Sequence, residues 1–208
     1  MKNTAEHRSN ALMYEAAADP YCYPGTTVLR NIPGLTSQAA LERFEIVATA
    51  RRFLEPMPAG RWTASHYCAL HHHIFQDVFP WAGRIRTVRI GKGGHMFCYP
   101  EYIRAELRRV FNWLRTAEAV RDPDPGSFAN KAAHLLAELN AIHAFRDGNG
   151  RTQLAFTALL AAKAGHPLAL EHLEPEGFLQ AMIASFAGDE IPLARQVRAL
   201  LKPSLSHA

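Results

Sequence analysis

The stretch His143-Ala-Phe-Arg-Asp-Gly-Asn-Gly-Arg151 joins two segments that both have helical periodicity. In the first, apolar residues recur at spacings of four and three from Phe128 to Ile142. The second is predicted as a helix over residues 151–164, where a Gly-His-Pro sequence ends it. The two glycines that flank Asn149 allow a tight turn that exposes successive backbone N–H groups. The stretch therefore predicts two consecutive helices joined by a turn that can bind an anion.

The residue types in this turn are those of a site for phosphate transfer. Backbone amides and the N-terminus of the following helix suit a phosphate group, and Arg151 adds a positive charge with fork geometry. Asp147 would repel phosphate unless it holds Mg²⁺. His143, at the end of the preceding helix, can act as a base near neutral pH. These groups lie within nine residues, and together they favour a phosphoryl-type transfer reaction.

Each feature of the turn also has a simpler explanation. A glycine-containing turn after a helix is usually only a turn, and a histidine at a helix end is usually structural. Only their combination favours a reaction. The sequence contains no GxxxxGK(S/T) motif, and no third glycine completes GxGxxG. This argues against the P-loop and Rossmann classes of nucleotide site.

Helical patterns continue on both sides of the turn. A segment rich in proline and glycine, residues 20–35, is predicted to be irregular. Beyond it, further helices are predicted over about 38–54, from an N-cap at Thr63, from a first turn at Pro100, from a cap at Ser127, and near 175–187 and 191–201.

One segment alternates in the manner of β-strands instead. Two short strands, 87–90 and 96–98, are predicted around a glycine-rich turn. Because two strands alone are marginally stable, this hairpin must rest on the helices or move. We therefore expect an all-α domain that carries one small hairpin. The predicted organisation is an N-terminal extension, the domain and a C-terminal tail, at residues 1–18, 19–201 and 202–208.

The composition is that of a globular protein with a buried core. Of the 208 residues, 48% are hydrophobic and 20% are charged. No apolar run approaches the ~20 residues of a membrane span, and the first residues lack the apolar core of an export signal. Three widely spaced cysteines without a CxxC motif, Cys22, Cys68 and Cys98, are typical of reduced thiols. We expect a cytoplasmic protein with no membrane partner.

Positive charge is concentrated in one segment. The net charge is +4, and residues 84–110 alone contain seven basic and two acidic residues. Such a segment can attract nucleic acid, nucleotide phosphate or an acidic protein, or can be a solvated face. A DNA-binding protein is one hypothesis, but no recognition-helix signature supports it, so no direct nucleic-acid partner is predicted. Four of these residues are expected to guide a nucleotide or target, or only to aid solubility: Arg84, Arg86, Arg89 and Lys92.

The turn resembles the signature of the Fic family. That signature is HxFx(D/E)GNGRxxR, and residues 143–154 read HAFRDGNGRTQL. Residues 77–86 resemble the segment that leads into the Fic flap hairpin, and residues 19–31 resemble the start of small bacterial toxin-type Fic proteins. The resemblance covers about residues 19–200. It implies the Fic fold, a helical bundle with a small β-hairpin flap.

The resemblance implies a protein adenylyltransferase, which transfers AMP from ATP to a hydroxyl side chain of a target protein. His143 would take the proton from a target Tyr, Ser or Thr, and Asp147 would hold Mg²⁺ on the α and β phosphates. Arg151 would bind phosphate oxygens. The anion hole would consist of Gly148, Asn149 and Gly150. The flap would pair with the target backbone by strand addition, and would comprise Arg89, Ile90, Gly91, Lys92, Gly93, Gly94, His95 and Met96.

One position departs from the family signature. The final arginine, which in similar proteins grips the outer phosphates of ATP, is replaced by Leu154. The related Doc branch also has leucine there and transfers the terminal phosphate, but alanine and lysine replace its two anion-hole glycines. Because this chain keeps Gly148 and Gly150, we favour AMP transfer. The alternatives are a Doc-like protein kinase that transfers the γ-phosphate, and a catalytically impaired domain that binds a nucleotide or a partner.

The resemblance also bears on regulation and partners. Many family members carry an inhibitory helix with the motif (S/T)xxxE(G/N), and this sequence contains no such motif. That implies a toxin-like protein held in check by a separate small antitoxin. The targets of similar toxins include type II topoisomerase subunits, and the target is expected to dock on the flap.

Overall fold

A computed structural model describes residues 19–202 of the chain. The predicted extension, residues 1–18, lies outside them, as does all of the predicted tail except Lys202. The described part contains seven α-helices and one two-stranded antiparallel sheet. The predicted all-α fold with a small hairpin is therefore confirmed.

The helices follow the apolar periodicity of the sequence, and each packs apolar side chains against its neighbours. They are α1 (Gln38–Phe53), α2 (Ala64–Phe75), α3 (Ile103–Thr116), α4 (Pro125–Ile142), α5 (Asn149–Lys163), α6 (Pro175–Phe186) and α7 (Ile191–Leu200). Two single turns of 3-10 helix, Ala119–Arg121 and Leu170–His172, precede α4 and α6. No helix among residues 19–202 is long and apolar enough to cross a membrane.

The helix starts show where local signals succeed and fail. Thr63 caps α2 as predicted, because its side chain accepts a hydrogen bond from the His66 N–H at 3.3 Å. The predicted cap at Ser127 is wrong. Asp124 caps α4, since its carboxylate accepts from the Ser127 N–H at 2.6 Å, and Pro125 occupies the first helical position. Pro100 lies in the turn before α3 rather than in its first helical turn.

Helix α4 is the centre of the bundle. It packs against α3, α5, α6 and α7. Its large apolar side chains are buried on several sides, and alanines between them let the neighbouring helices approach closely. These buried residues are Phe128, Ala129, Ala132, Ala133, Leu135, Leu136, Ala137, Leu139 and Ile142. The packing therefore fixes the position of the end of α4, and with it the position of the next residue, His143.

The hairpin is shorter than predicted and rests on α4. Its strands are β1 (Gly91–Lys92) and β2 (His95–Met96), and both turn residues between them have positive φ. Residues 87–90, predicted as the first strand, lead into the hairpin, and of the predicted second strand, 96–98, only Met96 belongs to β2. The N–H of Cys98 donates to the carbonyl of Ala141 at 3.0 Å, which fixes the hairpin base to the last turn of α4.

The irregular tract before α1 is held by specific contacts. A β-bridge joins Cys22 and Leu29, and both side chains are buried in a second apolar cluster that includes Phe75 and Trp81. Residue Asp19, at the start of the tract, forms an ion pair in the core with Arg146, whose Nη2 lies 2.8 Å from its carboxylate. The tract is thereby connected to the turn between α4 and α5.

Candidate active site

The turn between α4 and α5 opens into a cleft of about 630 Å³. His143, Asp147 and the glycine turn line it, as do Lys92 and His95 of the hairpin. The apolar part of the lining comes mainly from α6, with Phe178, Leu179, Met182, Ile183 and Phe186. The cleft therefore brings the predicted site residues together beside an apolar wall, an arrangement that suits a ligand with both charged and apolar parts.

His143 directly follows the last residue of α4, as its C-cap, and is held in one orientation. Its backbone is left-handed, with φ 48° and ψ 62°. Its ring stacks on Phe97 with the two centroids 3.7 Å apart. Nδ1 lies 3.2 Å from the carbonyl of Asn140. Because a carbonyl only accepts, this bond places the proton on Nδ1 and leaves Nε2 as the basic nitrogen.

The surroundings of His143 keep its imidazole neutral. Burial lowers the pKa of His143 to about 3, and the charges of Arg86 and Lys92 act in the same direction. The hydrogen bond to the Asn140 carbonyl acts in the opposite direction and is a weaker influence than burial, but a stronger one than either charge. At pH 7 the ring is therefore unprotonated, which is the form a general base requires.

Arg86 holds the backbone around His143. The arginine is 1% exposed, and its Nε donates to the carbonyl of His143 at 2.7 Å. Its Nη2 donates to the carbonyls of Ile142 and Cys98 at 3.2 and 2.6 Å, and Nη1 donates to that of Val88 at 2.6 Å. Arg86 therefore binds backbone inside the protein. The expectation that it guides a ligand or aids solubility is wrong.

Asn149 closes the loop that carries the site. Asn149 is 3% exposed, and its side-chain amide forms two hydrogen bonds with the backbone of a single residue, Phe145. Nδ2 donates to the carbonyl of Phe145 at 2.8 Å, and Oδ1 accepts from the N–H of Phe145 at 3.0 Å. Since the side chain is committed to the loop, Asn149 can contribute to an anion site through its backbone N–H.

The two glycines of the turn have different functions. Gly148 has φ 77°, and a Cβ there would lie 2.4 Å from the ring of Phe75. The fold therefore requires glycine at this position. Gly150 lies in the first turn of α5, where a Cβ would meet nothing within 4 Å. The sequence-based explanation, a tight turn, accounts for Gly148, whereas Gly150 leaves open space beside the unpaired N–H groups at the start of α5.

Arg151 is oriented by two residues from other helices. Its guanidinium forms an ion pair with Glu45 of α1 and lies over the ring of Phe75 of α2, 4.5 Å from the centroid. The arginine side chain is 38% exposed, whereas that of Glu45 is 13% exposed. Burial, the largest influence, raises the pKa of Glu45, and the charge of Arg151 counteracts it. The guanidinium of Arg151 is thus positioned by a mostly buried carboxylate.

Asp147 lies between a fixed backbone and the cleft. Its carbonyl accepts from Nε2 of His71 at 2.9 Å, and the N–H of Gly83 donates to Nδ1 of the same histidine at 2.8 Å. The carboxylate accepts the N–H of Gly148 and lines the cleft. Mg²⁺ commonly takes one or two carboxylates together with phosphate oxygens and water. Asp147 fits that donor set, because its carboxylate lies beside a turn that suits phosphate.

The predicted flap residues divide into anchors and accessible positions. Ile90 is fully buried, and its carbonyl accepts from the N–H of Phe97 at 3.1 Å. Arg89 lies over a tyrosine ring at 4.1 Å. Gly91 is buried, and a Cβ there would lie 2.7 Å from the carbonyl oxygen of His95. The accessible positions are Arg89, Lys92, Gly93, Gly94, His95 and Met96.

Several residues that shape the site were missed by sequence analysis. They are far from the turn along the chain, and their contacts are tertiary. No local spacing connects Glu45 with Arg151, or His71 with the Asp147 carbonyl. The pattern around Phe97 predicted a strand, which indicated burial but not the stacking contact with His143.

Comparison with known proteins agrees with this geometry. The family model described as Fic/DOC family matches residues 61–161. A protein of Sinorhizobium fredii named probable protein adenylyltransferase y4lH is 48% identical over 189 residues, which are 90% of this chain and 98% of that protein. The chain belongs to the Fic/DOC family. The recognition of a Fic protein from the sequence is therefore confirmed.

Other Fic proteins are similar over nearly the same length. The probable protein adenylyltransferase Fic of Salmonella typhimurium is 33% identical, with 91% of this chain and 94% of that protein covered. The N-terminal Fic domain of a VirB-translocated Bep effector protein from Bartonella quintana, solved with bound ADP, is 26% identical, with a TM-score of 0.80. That match covers 89% of this chain and 96% of the solved one. The curated relatives confirm the prediction of an enzyme, a protein adenylyltransferase.

Proposed function

We propose that this Fic protein transfers AMP from ATP to a hydroxyl side chain of a target protein, with His143 as the general base. The observation that carries the proposal is the orientation of the His143 imidazole in the cleft. Its Nδ1 is occupied by the Asn140 carbonyl, and its ring lines the same cleft as the glycine turn. Nε2 is therefore the nitrogen that can accept a proton from a substrate.

The transfer step follows from the residues around the turn. The target hydroxyl oxygen forms a bond to the α-phosphorus and loses its proton to Nε2 of His143. The bond between the α-phosphorus and the oxygen bridging to the β-phosphate breaks, and pyrophosphate leaves with the electron pair. Arg151 and the backbone N–H groups at the start of α5 stabilise the negative charge on the transferring phosphate. The apolar wall from α6 receives the adenine ring.

Mg²⁺ completes the proposed site. Asp147 would hold it together with phosphate oxygens. When bound, the ion neutralises phosphate charge and favours departure of pyrophosphate. The contribution of the chain is to fix the Asp147 backbone through His71, so that the carboxylate stays at the cleft.

The proposed partners follow from the hairpin and the resemblance to toxin-type Fic proteins. The accessible positions of the hairpin offer backbone groups to an extended target segment, which would add as a strand. We propose a cytoplasmic protein whose catalytic domain spans residues 19–201, between an N-terminal extension and a C-terminal tail. A separate small antitoxin would restrain it. Type II topoisomerase subunits are the first targets to test.

The experiment uses the purified protein, Mg²⁺ and a bacterial lysate. ATP labelled at the α-phosphate is supplied in one reaction and ATP labelled at the γ-phosphate in another. We expect labelled target protein from α-labelled ATP only, and loss of that label with His143→Ala. His172→Ala, which removes an exposed histidine outside the cleft, is the matched control and should label as wild type does. Label only from γ-labelled ATP would establish a kinase instead, and no label from either would indicate a binding domain.

A further inference from the structure

We propose that Lys92 of the hairpin binds the outer phosphates of the nucleotide donor, so that the hairpin selects the donor as well as docking the target. This inference rests on the proposed function, because it concerns the same cleft and the same nucleotide. It assigns to Lys92 a role distinct from strand addition, in which only backbone groups of the hairpin take part.

The strand register places Lys92 at the cleft. Lys92 pairs with His95 across the two strands, and directly paired residues project from the same side of a hairpin. Both side chains line the cleft, and the ring of His95 contacts that of Phe186 in α6, with centroids 5.3 Å apart. The side of the hairpin that bears Lys92 is therefore the side that closes against the cleft.

The charges around the cleft single out the same residue. Four side chains that line it are charged at pH 7, namely Lys92, Arg146, Asp147 and Arg151. Arg146 is buried and paired with Asp19, and Arg151 is paired with Glu45. Among residues 19–202, no carboxylate forms an ion pair with Lys92. Lys92 is thus the lining cation whose charge is not already balanced by a neighbouring carboxylate.

A triphosphate bound at the turn needs such a cation. Asp147 would hold Mg²⁺ together with phosphate oxygens, and a triphosphate that carries one Mg²⁺ would keep a net negative charge. A lysine ammonium is a mobile point charge with three donors, which suits the terminal oxygens of a flexible chain. Lys92 is close enough to the turn for its charge to affect His143. That charge lowers the pKa of His143, although less than burial and the charge of Arg86 do.

The proposal predicts that Lys92 strengthens the binding of a nucleoside triphosphate but not that of a nucleoside monophosphate. Titration calorimetry with Mg²⁺ would compare ATP and AMP on wild type, Lys92→Met and Lys163→Met. The control removes the same charge from the exposed end of α5, about 20 Å along the helix from the turn. We expect Lys92→Met to bind ATP about 10- to 100-fold more weakly, as for the loss of one charge-assisted bond. AMP binding should change less than about twofold, and Lys163→Met should match wild type with both ligands.

Two results would overturn the proposal. Unchanged ATP affinity in Lys92→Met would show that the lysine does not contact the phosphates. An equal loss of ATP and AMP affinity would show that Lys92 acts on the shape of the cleft. Because binding is measured without a target protein or AMP transfer, failure of the proposed transfer reaction would appear in the labelling experiment and not in this one.

Discussion

The guanidinium of Arg86 donates to the backbone carbonyl of His143 at 2.7 Å, and a buried cation thereby holds the proposed general base. The same side chain binds the carbonyl of Cys98 at 2.6 Å, at the exit of the hairpin. One arginine therefore fixes the relative position of the base and of the flap. Its partners are all carbonyls, so the interaction depends on the planar fork of donors and not only on the charge.

Lysine in place of Arg86 should keep the charge but lose the fork. We expect Arg86→Lys to lower the free energy of unfolding by about 3 kcal/mol, because buried carbonyls lose charged hydrogen bonds. AMP transfer should fall at least tenfold at a temperature where the variant is folded, since the position of His143 relaxes. Urea unfolding and the labelling assay check both. Arg84→Lys, at an exposed neighbouring position, is the control, and equal effects of the two changes would contradict a positioning role.

The two glycines of the turn should respond oppositely to alanine. Gly148→Ala forces a Cβ against the ring of Phe75 in a left-handed backbone, so we expect a loss of about 2–4 kcal/mol in the free energy of unfolding. Gly150→Ala meets open space in a helix, so its stability should stay equal or rise by up to about 1 kcal/mol.

The second half of this prediction concerns activity. The methyl group of Gly150→Ala would lie where phosphate approaches the start of α5, so AMP transfer should fall at least tenfold although the protein is stable. Thermal unfolding and α-label transfer would be measured on the same samples. A fully active Gly150→Ala would mean that the phosphate does not approach α5 at this residue.

Glu45 should limit the affinity for nucleotide. Its mostly buried carboxylate neutralises Arg151 and lies close enough to Asp147 for that charge to raise the pKa of Glu45 further. Glu45→Gln keeps a hydrogen-bond acceptor for Arg151 but removes the negative charge. We expect ATP to bind about fivefold more tightly, equivalent to about 1 kcal/mol, as measured by calorimetry at low salt. Weaker binding would mean that the Glu45 charge is needed to orient Arg151.

His71 should make the protein sensitive to acid. Burial lowers the pKa of this histidine from its ordinary value of 6.5 to about 3. Between these two pH values, His71 is protonated in the unfolded chain and neutral in the folded protein. Stability therefore falls as the pH falls through this window. Between pH 7 and 5.5, wild type should lose about 1 kcal/mol more unfolding free energy than His71→Gln. Urea titrations at both pH values give this difference, and equal losses would show that His71 is protonated in the folded protein.

Local sequence signals predicted most of the fold. Helix α1 was predicted over about 38–54 and observed at Gln38–Phe53, because apolar spacing is a signal that acts between residues three or four positions apart. The start of α5 was predicted two residues late. Gly148 adopts a left-handed cap, and the helix begins directly after it at Asn149, so Gly150 belongs to the helix.

The sequence predicted those residues of the candidate site that lie in the turn between α4 and α5, but not the residues that hold them in place. The base, the carboxylate and the arginine all belong to residues 143–151, and the cleft contains them together. The residues that support them, such as Arg86 and Glu45, belong to other parts of the chain. The sequence does not show how those parts pack against the turn. The sequence shows that these residues are charged, but it does not show which residues they contact.

The buried pair of Asp19 and Arg146 has a consequence for synthesis of the protein. The two residues are 127 positions apart, so a nascent chain carries the first for most of translation before the second leaves the ribosome. Fragments that end before Arg146 also lack the rest of the turn. The enzyme should therefore acquire activity only after Arg146 has been synthesised, and incomplete copies released by interrupted translation before that point should be inactive.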